Sequence, residues 1–154
     1  MEWKEEFSVG IPEIDKQHRV LIDCISDLEQ AVGTQQRWSA VHSTIGRLTQ
    51  YTQVHFAVEE SLMQIHGYPD LAPHAAEHQR FASRLEALHE ESLRVEISAH
   101  MIAFLQDWLQ HHVMTGDKDY ASFFPGVVVV KAALDPSAAI GNKPKKRSAG
   151  ARQD

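Results

Sequence analysis

Four stretches of this chain repeat apolar residues at three- and four-residue steps, and each sets at least one histidine on the apolar side of its own helix. The first runs from Ile14 through Leu21, Ile25, Leu28 and Val32 to about Gly33, with the period of an amphipathic helix. The second starts near Trp38 and carries Val41, Ile45, Leu48, Phe56, Leu62 and Met63 before Gly67-Tyr68-Pro69 breaks it. The third begins near Pro73, a residue suited to a first helical turn, and carries Phe81, Leu85 and Leu88 to about Arg94. The fourth reaches from about Val95 through Met101, Phe104, Leu105, Trp108 and Leu109 to Gly116, read as its C-terminal stop. Short connections make consecutive helices antiparallel neighbours, so the expected fold is all-α, an up-down-up-down four-helix bundle. Ahead of it Trp3, Phe7, Val9 and Ile11 nearly alternate, which predicts an extended N-terminal arm laid across the bundle.

The histidines decide what such a core could be for. His55 and Glu59 are four residues apart, as are His74 and His78, so each pair projects from one helical face. Either pair alone is more often a surface hydrogen bond or ion pair than a metal site. Register changes that balance: Leu48, His55, Glu59 and Leu62 share a face, as do His74, His78, Phe81 and Leu85. His112 lies on the face of Leu105, Trp108 and Leu109, and His18 lies between Ile14 and Ile22. Five imidazoles and a carboxylate are costly to bury unless they are paired or bound, and a metal is the simplest common partner. Asp117 follows His112 by five residues, about 140° away on a regular α-helix. It joins the group only if the helix ends or widens at Thr115-Gly116.

Composition narrows the chemistry. Cys24 is the only cysteine, which excludes an internal disulfide and a thiolate cluster and leaves nitrogen and oxygen ligands. The formal charge of -6 argues against a nucleic-acid partner. No apolar run approaches the roughly 20 residues that span a bilayer, so no membrane insertion is expected. An acidic start, MEWKEEFSVGIPEID, without an apolar signal core places the protein in the cytoplasm. The 154 residues suit one domain, drawn at 1–125. A C-terminal extension over 126–154 begins with a valine run of no assignable conformation and is expected to be disordered from about 135, ending in the basic KPKKR cluster.

The stretches VGIPEIDKQH, HFAVEESLM, YPDLAPHAAEHQRF and WLQHHVMTGDKDY together resemble the hemerythrin family, in particular the single-domain bacteriohemerythrins, over residues 3 to about 120. The resemblance implies a non-haem diiron centre with an oxo or hydroxo bridge in a four-helix bundle that binds O2. It implies that His74, His78 and His112 hold one iron, that His18 and His55 hold the other, and that Glu59 and Asp117 bridge them. With that set on two octahedral ions, one coordination position stays open, on the two-histidine iron. An open position marks a reactive rather than a structural metal site. Ile22, Leu62 and Leu109 are candidates, by spacing, to line the oxygen pocket.

The function expected is non-enzymatic, reversible dioxygen binding by a monomer, for storage or for delivery to an oxygen-consuming enzyme. Binding moves two electrons to oxygen and a bridging proton with them, so the net charge of the buried centre is unchanged and the step can reverse. The alternatives are an oxygen or redox sensor, and a diiron oxidase or an enzyme reducing peroxide or nitric oxide. His42, His66, His89, His100 and His111 match no ligand position and are read as surface or helix-end residues. Glu60 is expected to face solvent, Cys24 to have no redox task, and Met114 to fill a gap in the core.

Overall fold

The computed structural model describes residues 1–32 and 37–124. The valine run, the basic tail and the boundary at 125/126 lie outside the described residues. Helices α1 (Pro12–Val32), α2 (Arg37–His66), α3 (Leu71–Glu91) and α4 (Ala99–His112) form the expected four-helix bundle, and no strand occurs among the described residues. A π turn, Val113–Asp117, and a short α5, Lys118–Phe123, follow α4 without a break. Gly116 therefore does not stop the fourth helix as the sequence suggested. That helix also starts four residues later than the expected Val95, at Ala99. Ser98 sets the boundary, its hydroxyl accepting from the Met101 backbone N–H, which satisfies one of the first-turn donors.

Gly67 ends α2. Its φ of 66° is in the left-handed region that glycine adopts freely. Gly67 N–H donates to the Gln64 carbonyl and Tyr68 N–H to the Met63 carbonyl, the pairing of a Schellman C-cap. The chain then turns directly into α3.

Helix α1 packs against α2 and α4, and α2 packs against α3. Where α3 faces α4 the gap is filled by large rings: Phe81 and Trp108 stack with centroids 3.7 Å apart and planes 9° apart. One apolar layer holds Ile25, Leu28, Ile45, Leu48, Leu85, Leu88 and Leu105, all essentially without exposure. A second, at the other end, holds Phe7, Val9, Met63, Tyr120 and Phe124. Between the two lies a buried polar layer of His18, His55, Glu59, His74, His78, His112 and Asp117.

The N-terminal arm covers that second layer. It is not extended throughout, for Glu5–Phe7 makes a 3-10 turn that drops Phe7 and Val9 into the core. Asp15 on α1 anchors it, accepting from the Val9 N–H at 2.7 Å and the Ser8 hydroxyl at 2.6 Å. Lys118 donates to the Glu6 carbonyl, and Arg19 lies over the Trp3 ring at 4.1 Å.

Candidate metal centre

Each of the four long helices and the π turn delivers groups to one point. Two overlapping groups result, His74, His78, His112, Glu59 and Asp117 in one, and His18, His55, Glu59 and Asp117 in the other. Within each, the possible ligand atoms lie within 4.8 Å of one another. This partition of histidines is the one the family resemblance implied, and both carboxylates belong to both groups. Asp117 divides its oxygens between them: Oδ2 faces His18 Nε2 at 3.1 Å, while Oδ1 faces His112 Nε2 at 3.2 Å and His74 Nε2 at 3.5 Å. Glu59 turns Oε1 toward His18 at 3.7 Å and Oε2 toward His78 at 3.2 Å and His55 at 3.6 Å.

The π turn explains how Asp117 arrives. A wider turn takes up the extra residue between His112 and Asp117, so a separation of five comes back to the same face. Gly116 makes room within it: a Cβ there would lie 3.1 Å from His74 Cε1 and 3.2 Å from its Nδ1.

The donor set fits a pair of cations. Both nitrogens of His18, Glu59 Oε2 and both oxygens of Asp117 are buried without a hydrogen-bond partner, and each such orphan costs about 1–3 kcal/mol. The Nε2 atoms of His74, His78 and His112 approach to 3.0 and 2.9 Å. His78 donates from Nδ1 to Glu60, so its Nε2 turns a lone pair inward toward the other two imidazoles, and a cation among them removes the conflict. Imidazole and carboxylate without thiolate suit iron.

A further ring of residues fixes the orientation of these ligand candidates. Gln17 Oε1 accepts from His55 Nδ1 at 2.9 Å, and Glu60 Oε1 accepts from His78 Nδ1 at 2.9 Å. Phe56 stacks on His78 at 3.7 Å and Trp108 on His112 at 4.5 Å. Tyr120, fully buried, donates its hydroxyl to Glu59 Oε1 at 2.6 Å. Burial and the adjacent Glu59 charge push the Tyr120 phenol well up, so it stays a donor. Helical period identified none of these five contacts, and it sent Glu60 to solvent. Glu60 is half-exposed, yet its carboxylate bends back to the ring edge of His78. Tyr120→Phe removes a charge-assisted bond in a buried site and is expected to destabilise the metal-free fold by about 1.5–3 kcal/mol, read from urea denaturation; no loss would mean that Glu59 finds another donor.

Without metal, the cluster is held by its own protons. Burial opposes charge on His18, but Asp117 and Glu59 outweigh it and push the imidazole up to about 9. His55 goes the other way, to about 4, because burial dominates the partial help of Glu59. Burial alone would raise the Glu59 carboxyl, but His55, His18, His74 and His78 hold it well below the usual range. The His18 contribution is fully present below the ordinary 6.5 and is lost as pH rises through about 9. The His55 contribution is present above 6.5 and fades as pH falls toward 4. Thermal stability of the chelator-treated protein is therefore expected to peak near pH 6.5. A steady rise in Tm from there to pH 9 would contradict it. Metal on His18 replaces its proton and abolishes the alkaline decline.

Beside the polar layer is an apolar cavity of ≈ 10 Å³ bounded by Leu21, Ile25, Leu48, Thr52, Phe56, Phe81, Trp108 and Leu109, room for about one small guest. Of the three sequence candidates for a pocket, Leu109 lines it. Ile22 is buried in the core and Leu62 is partly buried at the opposite end of the polar layer, and neither lines this cavity. The remaining histidines stay outside the cluster. His66, His100 and His111 are exposed, while His42 and His89 stack on each other at 4.3 Å near the α3 terminus. Cys24 is buried and free, and Met114 packs partly buried against the core. No helix among the described residues is long and apolar enough to cross a membrane.

Comparison with known proteins places the bundle in a family. The model of the hemerythrin HHE cation binding domain matches residues 9–124. A bacteriohemerythrin of Stenotrophomonas maltophilia (strain R551-3) is 37% identical over 123 residues, covering 77% of this chain and 78% of that protein. The myohemerythrin of Sipunculus nudus is 28% identical over 122 residues, covering 77% of this chain and 88% of its own. A crystal structure of wild-type hemerythrin superposes with a TM-score of 0.75 at 30% identity, covering 79% of this chain and 95% of that one. A family model that spans the whole bundle, a relative at 37% identity and a fold shared with a hemerythrin structure lead to a single conclusion: the chain belongs to the hemerythrin family.

Proposed function

We propose that this protein binds dioxygen reversibly at a non-haem diiron centre, as a cytoplasmic monomer serving oxygen storage or delivery to an oxygen-consuming enzyme, and not as an enzyme itself. The observation that carries the reading is the pair of ligand groups that share Glu59 and Asp117, set against an apolar cavity. His74, His78 and His112 would hold one iron, His18 and His55 the other, and the two carboxylates both. Bound there, a reduced iron pair would supply the two electrons that dioxygen takes up on binding and returns on release.

The chain's own residues make that exchange reversible. Leu21, Leu48, Phe81, Trp108 and Leu109 keep the cavity beside the centre apolar, so water and protons that would drive irreversible loss are excluded. His55 and His78 are oriented by Gln17 and Glu60, which leaves their Nε2 atoms directed inward. Tyr120 holds Glu59 in place from the opposite end. All seven groups come from one chain, so a monomer suffices.

The test is the visible spectrum of the iron-quantified protein after anaerobic reduction, exposure to air, and removal of oxygen under vacuum. A pale reduced form that colours in air and bleaches under vacuum supports reversible binding. Colour that never reverses overturns it in favour of oxidase chemistry or sensing, and an iron-free protein overturns the centre itself.

A further inference from the structure

The groups behind the five histidines are not distributed evenly. On the three-histidine side, His78 Nδ1 donates to the Glu60 carboxylate at 2.9 Å, and the Glu77 carboxylate lies 3.4 Å from His112 Nδ1. On the two-histidine side, His55 Nδ1 donates to the neutral amide of Gln17, and His18 Nδ1 is buried with no partner. Anionic support thus falls on one half of the site only.

The local architecture makes this asymmetry affordable for the fold. A carboxylate sealed inside the bundle would be strongly penalised by desolvation. Glu60, with 38% of its side chain exposed, instead sits in the open groove between α2 and α3, walled by Ala57, Ala72, Ala75 and Ala76. Those small side chains leave water access to the carboxylate while its Oε1 reaches the imidazole edge. Phe56, flat against His78 with planes 6° apart, prevents the ring from turning away. Glu77 is also on the surface, but its oxygen is not aligned for a hydrogen bond to His112, so the directed contact belongs to Glu60.

A carboxylate that accepts from a ligating imidazole increases that ligand's basicity and favours the higher charge on the metal. A neutral amide does so less, and an unpartnered nitrogen not at all. We infer that Glu60 is a positioning residue that biases the electron poise of the centre, favouring the ferric state on the three-histidine half and leaving the two-histidine half the one more readily held ferrous. The inference rests on the diiron reading proposed above. It assigns the polarity of that pair to a residue that is not itself among the ligand candidates.

Two measurements on the full chain test it. In the first, the midpoint potential of the iron-loaded protein is compared among wild type, Glu60→Gln, Glu60→Ala and Glu86→Gln. Glu86 is an exposed carboxylate on α3 bonded to Gln53, so its variant has the same change in net charge with no hydrogen bond to a ligand candidate. Glu60→Gln is expected to shift the ferric-to-ferrous equilibrium about tenfold toward ferrous, equivalent to about 59 mV for a one-electron couple. Glu60→Ala should shift it at least as far, and Glu86→Gln should match wild type. In the second, the metal-free proteins are titrated with cobalt(II), and Glu60→Gln is expected to weaken one of two binding steps by about tenfold while the other is unchanged. An unmoved potential in Glu60→Gln, or an equal shift in Glu86→Gln, overturns the inference and leaves the centre standing. A wild-type protein that takes up no pair of ions overturns both.

Discussion

Glu59→Ala is expected to empty both halves of the centre at once, with bound iron falling from about two per chain to well under one and a loss of affinity greater than the 10- to 100-fold typical of an outer residue. The reason is geometric. Glu59 is without exposure, and its two oxygens face His18 on one side and His55 and His78 on the other. Alanine leaves the two histidine sets with Asp117 as their only shared anion. The metal-free fold should also suffer, because His18 loses one of the two carboxylates that support its charge, and breaking a buried ion pair costs about 3–5 kcal/mol. Iron analysis after anaerobic reconstitution gives the first number and chemical denaturation in chelator the second. A variant that still held two magnetically coupled irons would refute the bridging role outright.

Phe81→Ala should produce the largest purely structural loss, about 3–5 kcal/mol, which for a domain of this size lowers Tm by about 10–20 °C. Phe81 is buried, stacks on Trp108 at 3.7 Å and meets Phe56 edge-on at 6.3 Å. It is the main bridge across the gap between α3 and α4, and it also lines the apolar cavity. Truncation therefore enlarges that cavity toward the surface groove as well as loosening the bundle. Faster irreversible oxidation of the iron-loaded protein should accompany the lower Tm. A drop below about 1 kcal/mol would mean that neighbouring rings collapse into the space and that the stack is not what holds the two helices together.

Much of the fold was legible because apolar period and histidine register agreed on every helix. Leu48, His55, Glu59 and Leu62, or His74, His78, Phe81 and Leu85, can be placed on one face by counting alone. Asp117 was harder, since the geometry of a regular helix excluded it and only Gly116 hinted at a wider turn. Gln17, Glu60, Glu77 and Tyr120 were not identified for a different reason. Period describes one helix in isolation, whereas these residues act on a neighbour. Glu60 leaves α2 roughly 100° from Glu59, and only the approach of α3 decides that its carboxylate reaches His78. The cavity was equally hidden, because spacing proposed Ile22 and Leu62 from their own helices while the space itself is enclosed by residues from all four.

The stack of Trp108 on His112, centroids 4.5 Å apart and planes 16° apart, also gives the molecule an optical property. An excited indole in van der Waals contact with an imidazole transfers electron density to it readily once that imidazole carries positive charge or faces a redox-active ion. Trp38, more than half exposed, emits at longer wavelength into water and has no such neighbour in the polar layer. Trp3, partly buried in the N-terminal arm under Arg19, does not touch the centre either, so the part of the intrinsic fluorescence that changes as the centre fills belongs to Trp108 and follows that filling in real time without any added dye.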